Sequence, residues 1–184
     1  MKTRILDIEQ QLIERCLQDD PKAQMKLYQK YAAAMYHVSR RIISDDLQAE
    51  DAMQEAFITA FRKLDQFKGD VVFGAWLKKI VIRKCVDLLR KEKMITEDVE
   101  DLKVIDEIEI EYDNLDVHQL KIGINQLQEN YKVIINLYFF EGYDHEEIAS
   151  ILGISYQNSR TLLNRAKAKL KTILKDMEYG RSIG

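Results

Sequence analysis

The sequence predicts an all-α protein made of two small helical domains joined by an acidic linker. One Pro and seven Gly among 184 residues leave few of the turns that a β fold requires. Hydrophobic residues make up 46% of the chain and charged residues 32%, a balance that favours helices with one buried face. Apolar residues also recur at helical spacing along most of the sequence.

The first predicted domain covers residues 1–94 and is a helical bundle. A short helix is expected around Ile8 to Leu17. A long helix follows, because Asp20 is a favourable N-cap and Pro21 suits the first helical position.

Two further helices complete this predicted bundle. The residues at 44–46 can cap a helix that ends near Leu64. A loop is expected over 65–70, and apolar residues from Phe73 to Leu88 then mark another long helix.

Residues 95–117 differ from the rest of the chain in charge. They carry 10 acidic side chains and one basic side chain, whereas the flanking segments have net charges of +4 (1–94) and +2 (118–184). Ile108 and Ile110 alternate with glutamates, and the segment is too acidic to bury well. We expect a linker that is either disordered or held against a partner.

The second predicted domain, residues 118–184, contains the pattern of a helix-turn-helix. Asp144 and Glu147 have the spacing of a capping box, Gly153 can end that helix, and Ser155 can cap the next. In DNA-binding proteins, this arrangement of two helices joined by a tight turn places the second helix, the recognition helix, in the major groove.

The last predicted helix carries a basic face. Arg160, Asn164, Lys167 and Lys171 fall within about 60° of each other on a helical wheel, opposite the apolar residues. Arg and Asn can bond base edges, and Lys can bind phosphates. A solvated basic surface is the alternative interpretation.

Nothing in the sequence indicates catalysis, a cofactor or a metal. His37, His118 and His145 are scattered, His145 is expected at the surface, and no glycine-rich phosphate loop is present. Cys16 and Cys85 lack the spacing of a redox or metal motif. The sequence contains no long apolar run, so we expect neither a signal peptide nor a membrane span. We therefore expect a cytoplasmic protein.

Several segments together resemble a known family. The first part of the chain resembles region 2 of bacterial sigma factors in Asp51-Ala-Met-Gln-Glu-Ala-Phe, Phe67-Lys-Gly to Trp76, and Asp87-Leu-Leu-Arg-Lys. The segment Leu127 to Leu170 resembles region 4, through Glu141-Gly-Tyr-Asp-His-Glu-Glu-Ile-Ala and Leu152-Gly-Ile-Ser. With only these two regions, the chain is similar to the extracytoplasmic-function class.

The resemblance implies promoter recognition on core RNA polymerase. It implies that Asp51, Gln54 and Glu55 bind the clamp of the β′ subunit, and that the flap of the β subunit and promoter DNA are further partners. Helical spacing places the three side chains on one face. Whether an anti-sigma factor binds the chain is left open.

The resemblance also implies two sets of DNA contacts. Candidates for the minus-10 element are Phe67, Lys68, Lys79, Arg83, Lys84 and Arg90. Candidates for the minus-35 element are Ser155, Gln157, Asn158, Arg160, Thr161, Asn164, Arg165, Lys167 and Lys171. Many members have Asn at the position of Arg83 and Gly-Thr at the position of Gln157-Asn158, so the resemblance implies no particular promoter sequence.

Two other classes of function remain open from the sequence. A transcription regulator could bind DNA alone through residues 118–184, while residues 1–94 sense a signal or dimerise. An all-helical adaptor could carry its basic faces without any role in DNA binding.

The acidic linker leads to a first prediction, that it keeps the free chain off DNA by competing for the basic side chains. Replacing Glu107, Glu109 and Glu111 with Gln and Asp113 with Asn should tighten DNA binding by the free chain at low salt. The gain should fade as salt screens charges beyond about 10 Å at 0.1 M. Affinity that is unchanged across a salt series would leave the linker as a tether, or as a segment that occupies a polymerase channel.

Overall fold

The computed structural model describes residues 2–92 and 117–182, and within these ranges every regular element is a helix. The predicted all-α class is therefore confirmed. The chain divides into two compact units, Met1–Leu88 (unit 1) and Leu89–Gly184 (unit 2). The linker predicted over 95–117 lies, except for Val117, outside the described residues.

Unit 1 is built from three helices, one short turn of 3-10 helix and a fourth helix whose last three residues fall in unit 2. The helices are α1 (Lys2–Cys16), α2 (Pro21–Ile42), α3 (Asp46–Arg62) and α4 (Phe73–Lys91), and the 3-10 turn is Leu64–Gln66. All four helices that the sequence predicts are present, but α1 begins at Lys2 and not near Ile8 as expected.

Two aspartates start the helices of unit 1 as predicted. Asp20 accepts hydrogen bonds from the amides of Lys22 (2.9 Å) and Ala23 (3.3 Å). Asp45 does the same for the amide of Gln48 (2.9 Å). The guanidinium of Arg15 also binds Asp20 at 2.6 Å, and this bond lowers the pKa of the Asp20 carboxyl.

The buried carboxylate of Glu9 ties α1 to α2. Glu9 is only 8% exposed, and its carboxylate accepts hydrogen bonds from the Tyr31 hydroxyl (2.7 Å) and the Lys30 ammonium. Burial and the neighbouring Glu9 raise the pKa of Tyr31. The buried carboxylate is therefore satisfied, as a charge removed from water must be.

Unit 2 also contains four helices, which pack around the last one. They are α5 (Val117–Asn125), α6 (Glu129–Ile135), α7 (His145–Leu152) and α8 (Tyr156–Ser182). Each of the first three helices contacts α8. None of the described helices is long and apolar enough to span a membrane.

One element of unit 2 was not predicted. Residues Asn136–Phe140 continue α6 as a turn of π-helix, which the amide of Glu141 closes by donating to the carbonyl of Asn136 (3.0 Å). Apolar spacing does not reveal such an insertion, because the same residues also fit the ordinary helical period.

The close approach of α2 and α4 generates a second prediction. A Cβ at Gly74 would lie 2.8 Å from Cε1 of Tyr31, whose ring is held by Glu9 and lies against Phe73 (5.5 Å between centroids). Gly74→Ala should therefore destabilise unit 1 by about 1 to 2 kcal/mol, since overpacking outweighs the better helix propensity of Ala.

Urea unfolding followed by tryptophan fluorescence measures this loss, because Trp76 is the only Trp of the chain and lies in unit 1. Asp87→Ala, at an exposed position of the same helix, is the control and should change stability by less than about 0.5 kcal/mol. A Gly74→Ala chain as stable as the original would show that Tyr31 moves aside without cost.

Candidate nucleic-acid interface

The three polar residues predicted on α3 share one surface. Asp51, Gln54 and Glu55 are all exposed, whereas Ala52, Met53, Ala56 and Phe57 on the other side of the helix are buried. Gln54 donates a hydrogen bond to Glu50 (3.1 Å), which adds a further carboxylate to the same face. This face can therefore bind a basic partner without unfolding any part of unit 1.

An apolar groove lies beside this acidic face, between α2 and α3. It includes Met25 and Tyr28 from α2, and Gln54, Ile58 and Phe61 from α3. The side chains of Met25 and Ile58 are 55% and 51% exposed. Sequence reasoning missed both, although each is an apolar residue at a polar position of the helical pattern.

Aromatic rings cluster where the loop before α4 meets that helix. The ring of Phe67 lies 5.7 Å from Phe73 and 5.4 Å from Trp76. Phe73 is buried, as expected of a core residue, but Phe67 and Trp76 are only partly covered. Lys68 and Val71 in the same loop are exposed, so apolar and basic side chains lie together here.

The predicted basic side chains of α4 do not all occupy one face. Lys79 and Arg83 are exposed, and Arg90 lies in the last turn of the helix. Lys84 lies about 100° around the helix from Arg83. Its ammonium is 3.5 Å from the Glu55 carboxylate, so Lys84 lies on the side of α4 that faces α3.

The helix-turn-helix of unit 2 forms with the predicted caps. The Asp144 carboxylate accepts from the amide of Glu147 (2.8 Å), and the Glu147 carboxylate accepts from the amide of Asp144 (3.4 Å). Gly153 ends α7 with a left-handed backbone (φ 57°), and Ser155 accepts from the amide of Asn158 (3.1 Å) at the start of α8.

Most of the predicted side chains on α8 and its cap are accessible. Ser155, Gln157, Arg160 and Lys171 are exposed, and Asn158, Arg165 and Lys167 are partly exposed. The Lys167 ammonium lies over the rings of Tyr138 (6.0 Å) and Phe139 (5.7 Å), contacts of the cation–π type. The π-helical turn therefore orients one of the basic side chains of α8.

Two candidates for the minus-35 element are buried, Thr161 and Asn164, and Asn164 was expected on the exposed basic face of α8. Thr161 is 4% exposed and Asn164 is 7% exposed. The Thr161 hydroxyl donates to the carbonyl of Gln157 (3.0 Å). The expected placement was wrong because three helices contact α8, so its buried sector is wider than one apolar stripe.

The described side chains form no metal site and no reactive thiol. In residues 8–92 and 117–177, no group of His, Cys, Asp and Glu is arranged to hold a metal ion. Burial raises the pKa of both Cys16 and Cys85 to about 11, so each thiol stays protonated at neutral pH.

Comparison with known proteins gives two matches to family models. Residues 27–94 match the model of sigma-70 region 2, and residues 123–170 match the model of sigma-70 region 4. The first match includes most of unit 1, and the second lies within unit 2.

Sequence relatives extend over nearly the whole chain. The RNA polymerase sigma-H factor of Pseudomonas aeruginosa is 30% identical, with 92% of this chain and 95% of that protein aligned. The sigma-E factor of Escherichia coli is 31% identical over 86% of this chain and 90% of that protein.

Two solved structures share the fold. The sigma factor RpoE in complex with the anti-sigma factor NepR, from Bartonella quintana, has a TM-score of 0.56 at 24% identity, over 82% of this chain and 96% of that one. CnrH in complex with the cytosolic domain of CnrY has a TM-score of 0.54 at 23% identity, over 90% of this chain and 96% of that one.

Proposed function

Because the chain belongs to the extracytoplasmic-function class of the sigma-70 family, we propose that unit 1 binds core RNA polymerase and the minus-10 element while unit 2 binds the minus-35 element. The function of the chain is promoter-specific transcription initiation by RNA polymerase. Sigma factors are not enzymes, and this role requires no catalytic residue of the chain.

One observation carries this proposal. The models of region 2 and region 4 match in this order, and the matched segments contain nearly all of the exposed polar faces described above. A regulator that binds DNA alone would account for the helix-turn-helix, but not for a region 2 match over residues 27–94.

The face of α3 is the proposed contact with the β′ clamp. Asp51, Gln54 and Glu55 offer two carboxylates and an amide to basic side chains, and the groove with Met25 and Ile58 offers an apolar surface beside them. A polymerase helix with a basic and an apolar side would match both surfaces.

The loop before α4 and the exposed side of that helix form the proposed minus-10 interface. Lys68, Lys79 and Arg83 are exposed and can bind phosphates, and Phe67 with the neighbouring exposed Val71 can receive a base that leaves the stack. Lys84 joins this interface only when it leaves Glu55. Arg90 is only partly exposed and its guanidinium donates to the carbonyl of Leu152, so it is a less direct candidate as well.

The N-terminal turns of α8 form the proposed minus-35 interface. Ser155, Gln157, Asn158 and Arg160 lie where a recognition helix contacts bases, and Arg165, Lys167 and Lys171 lie further along. For the β flap we propose the exposed rings of Phe139 and Phe140, which border an apolar cavity between α5, α6 and α8. We place this activity in the cytoplasm, where the polymerase acts.

The first test concerns the polymerase contact. Replacing Asp51, Gln54 and Glu55 together with Ala should weaken binding to core polymerase at least tenfold, because the face loses two carboxylates and an amide at once. Helical circular dichroism should stay unchanged, since the three side chains are exposed.

Replacing Gln10, Gln11 and Glu14 with Ala on the exposed side of α1 is the matched control, and it should leave binding intact. A pull-down or a titration with purified core polymerase measures both variants. Undiminished binding of the α3 variant would move the contact to another surface.

The second test separates base reading from phosphate binding on α8. Arg160→Ala should cost about 1 to 3 kcal/mol and relax the preference at one position of the minus-35 element. Lys171→Ala, at a similarly exposed position, should weaken all sequences alike and reduce the salt dependence. Both effects are measured by the binding of the polymerase complex to a set of promoters that differ at single bases. If Arg160→Ala and Lys171→Ala each weakened binding equally on every promoter, Arg160 would not read a base.

A further inference from the structure

The imidazole of His145 lies where three segments of unit 2 meet. His145 is the first residue of α7. Its ring stacks on Tyr138 of the π-helical turn, with 5.2 Å between centroids and 29° between planes. It also meets the ring of Tyr156, the first residue of α8, edge to face at 5.9 Å.

A hydrogen bond connects the same ring to the interior of α8. Nδ1 of His145 is 3.0 Å from Oγ of Ser159, and Ser159 is completely buried. The imidazole and the hydroxyl can each donate or accept, so either neutral tautomer makes this bond. The sequence placed His145 at the surface, but the ring is partly covered and bonded on one edge.

The backbone of His145 is fixed as firmly as its ring. The preceding Asp144 and the following Glu147 form the reciprocal capping box at the start of α7. The capping box thereby fixes the backbone of His145 relative to α7, and the contacts of its ring fix the side chain relative to α8. His145 therefore spans the two helices independently of the turn at Gly153.

The helical turns of α8 that His145 contacts are those proposed above to face DNA. Tyr156 and Ser159 alternate with Gln157, Asn158 and Arg160, three of the side chains assigned to the minus-35 element. Hydrogen bonds to base edges tolerate errors of only about 0.5 Å, so the angle between α7 and α8 decides whether they form. Phosphate contacts by flexible lysines are less sensitive to such a shift.

We propose that His145 is a positioning residue that holds the N-terminal turns of α8 in register for reading the minus-35 element. This inference rests on the proposed function of unit 2. Stacking on Tyr138 and the bond to Ser159 are both needed, because the first fixes the plane of the ring and the second fixes its rotation within that plane.

The test compares two promoters that differ only in the minus-35 element, using the full chain in complex with core polymerase. His145→Ala should reduce the preference for the intact element about tenfold. The salt dependence of binding should stay nearly unchanged, because flexible lysines that bind phosphate tolerate such a shift. The affinity for core polymerase should also stay nearly unchanged, because the proposed contact with the β′ clamp lies on α3 in the other unit. His145→Phe keeps the stacked ring and should restore part of the preference.

The hydrogen bond is tested separately. Ser159→Ala should lower the preference as far as His145→Phe does, and the two changes combined should have no further effect, since both remove the same bond. Ile134→Val, at a buried position of α6 outside this cluster, is the matched control for stability. It should destabilise the chain by a comparable amount and leave the preference intact.

The outcomes separate the inference from the function on which it rests. A His145→Ala complex with full preference would overturn the positioning role, as would an equal loss of preference in Ile134→Val. If the unmodified complex showed no preference between the two promoters, the assignment of unit 2 to the minus-35 element would be wrong instead.

Discussion

Burial of the apolar side of α4 is the constraint from which the rest of unit 1 follows. Phe73, Leu77 and Val81 are at most 1% exposed, and they fix the rotation of the helix about its axis. With that rotation fixed, Lys79 and Arg83 must face solvent and Lys84 must face Glu55 on α3. The same packing that stabilises the unit therefore separates the proposed surface for DNA from the proposed surface for the polymerase.

In unit 2 the corresponding constraint acts on α8, which contacts the other three helices. The buried residues of α8 include Leu162, Leu163 and Ala166. The accessible face of α8 is therefore narrower than it would be if only one apolar stripe were buried. Two contacts support this face from the side. Lys167 lies over rings of the π-helical turn, and His145 at the start of α7 stacks on Tyr138 of that turn. The proposed minus-35 interface is thus supported by side chains outside it.

Sequence reasoning recovered the features that depend on local chemistry. Asp20, Asp45, Asp144 and Ser155 cap helices as their side chains and positions predict, and Gly153 takes the left-handed conformation that ends α7. It missed features that depend on distant partners. The burial of Asn164 and the pairing of Lys84 with Glu55 arise from the packing of neighbouring helices, and no spacing along one helix encodes them. The roles assigned to individual DNA-contacting residues remain predictions.

This chain gives core RNA polymerase its choice of promoter. Run-off transcription with purified core polymerase on genomic fragments tests that claim most directly. Discrete transcripts that start at a few shared sequences, and that appear only when the chain is added, are the predicted result. Transcripts that are the same with and without the chain, together with DNA binding by the chain alone, would contradict it.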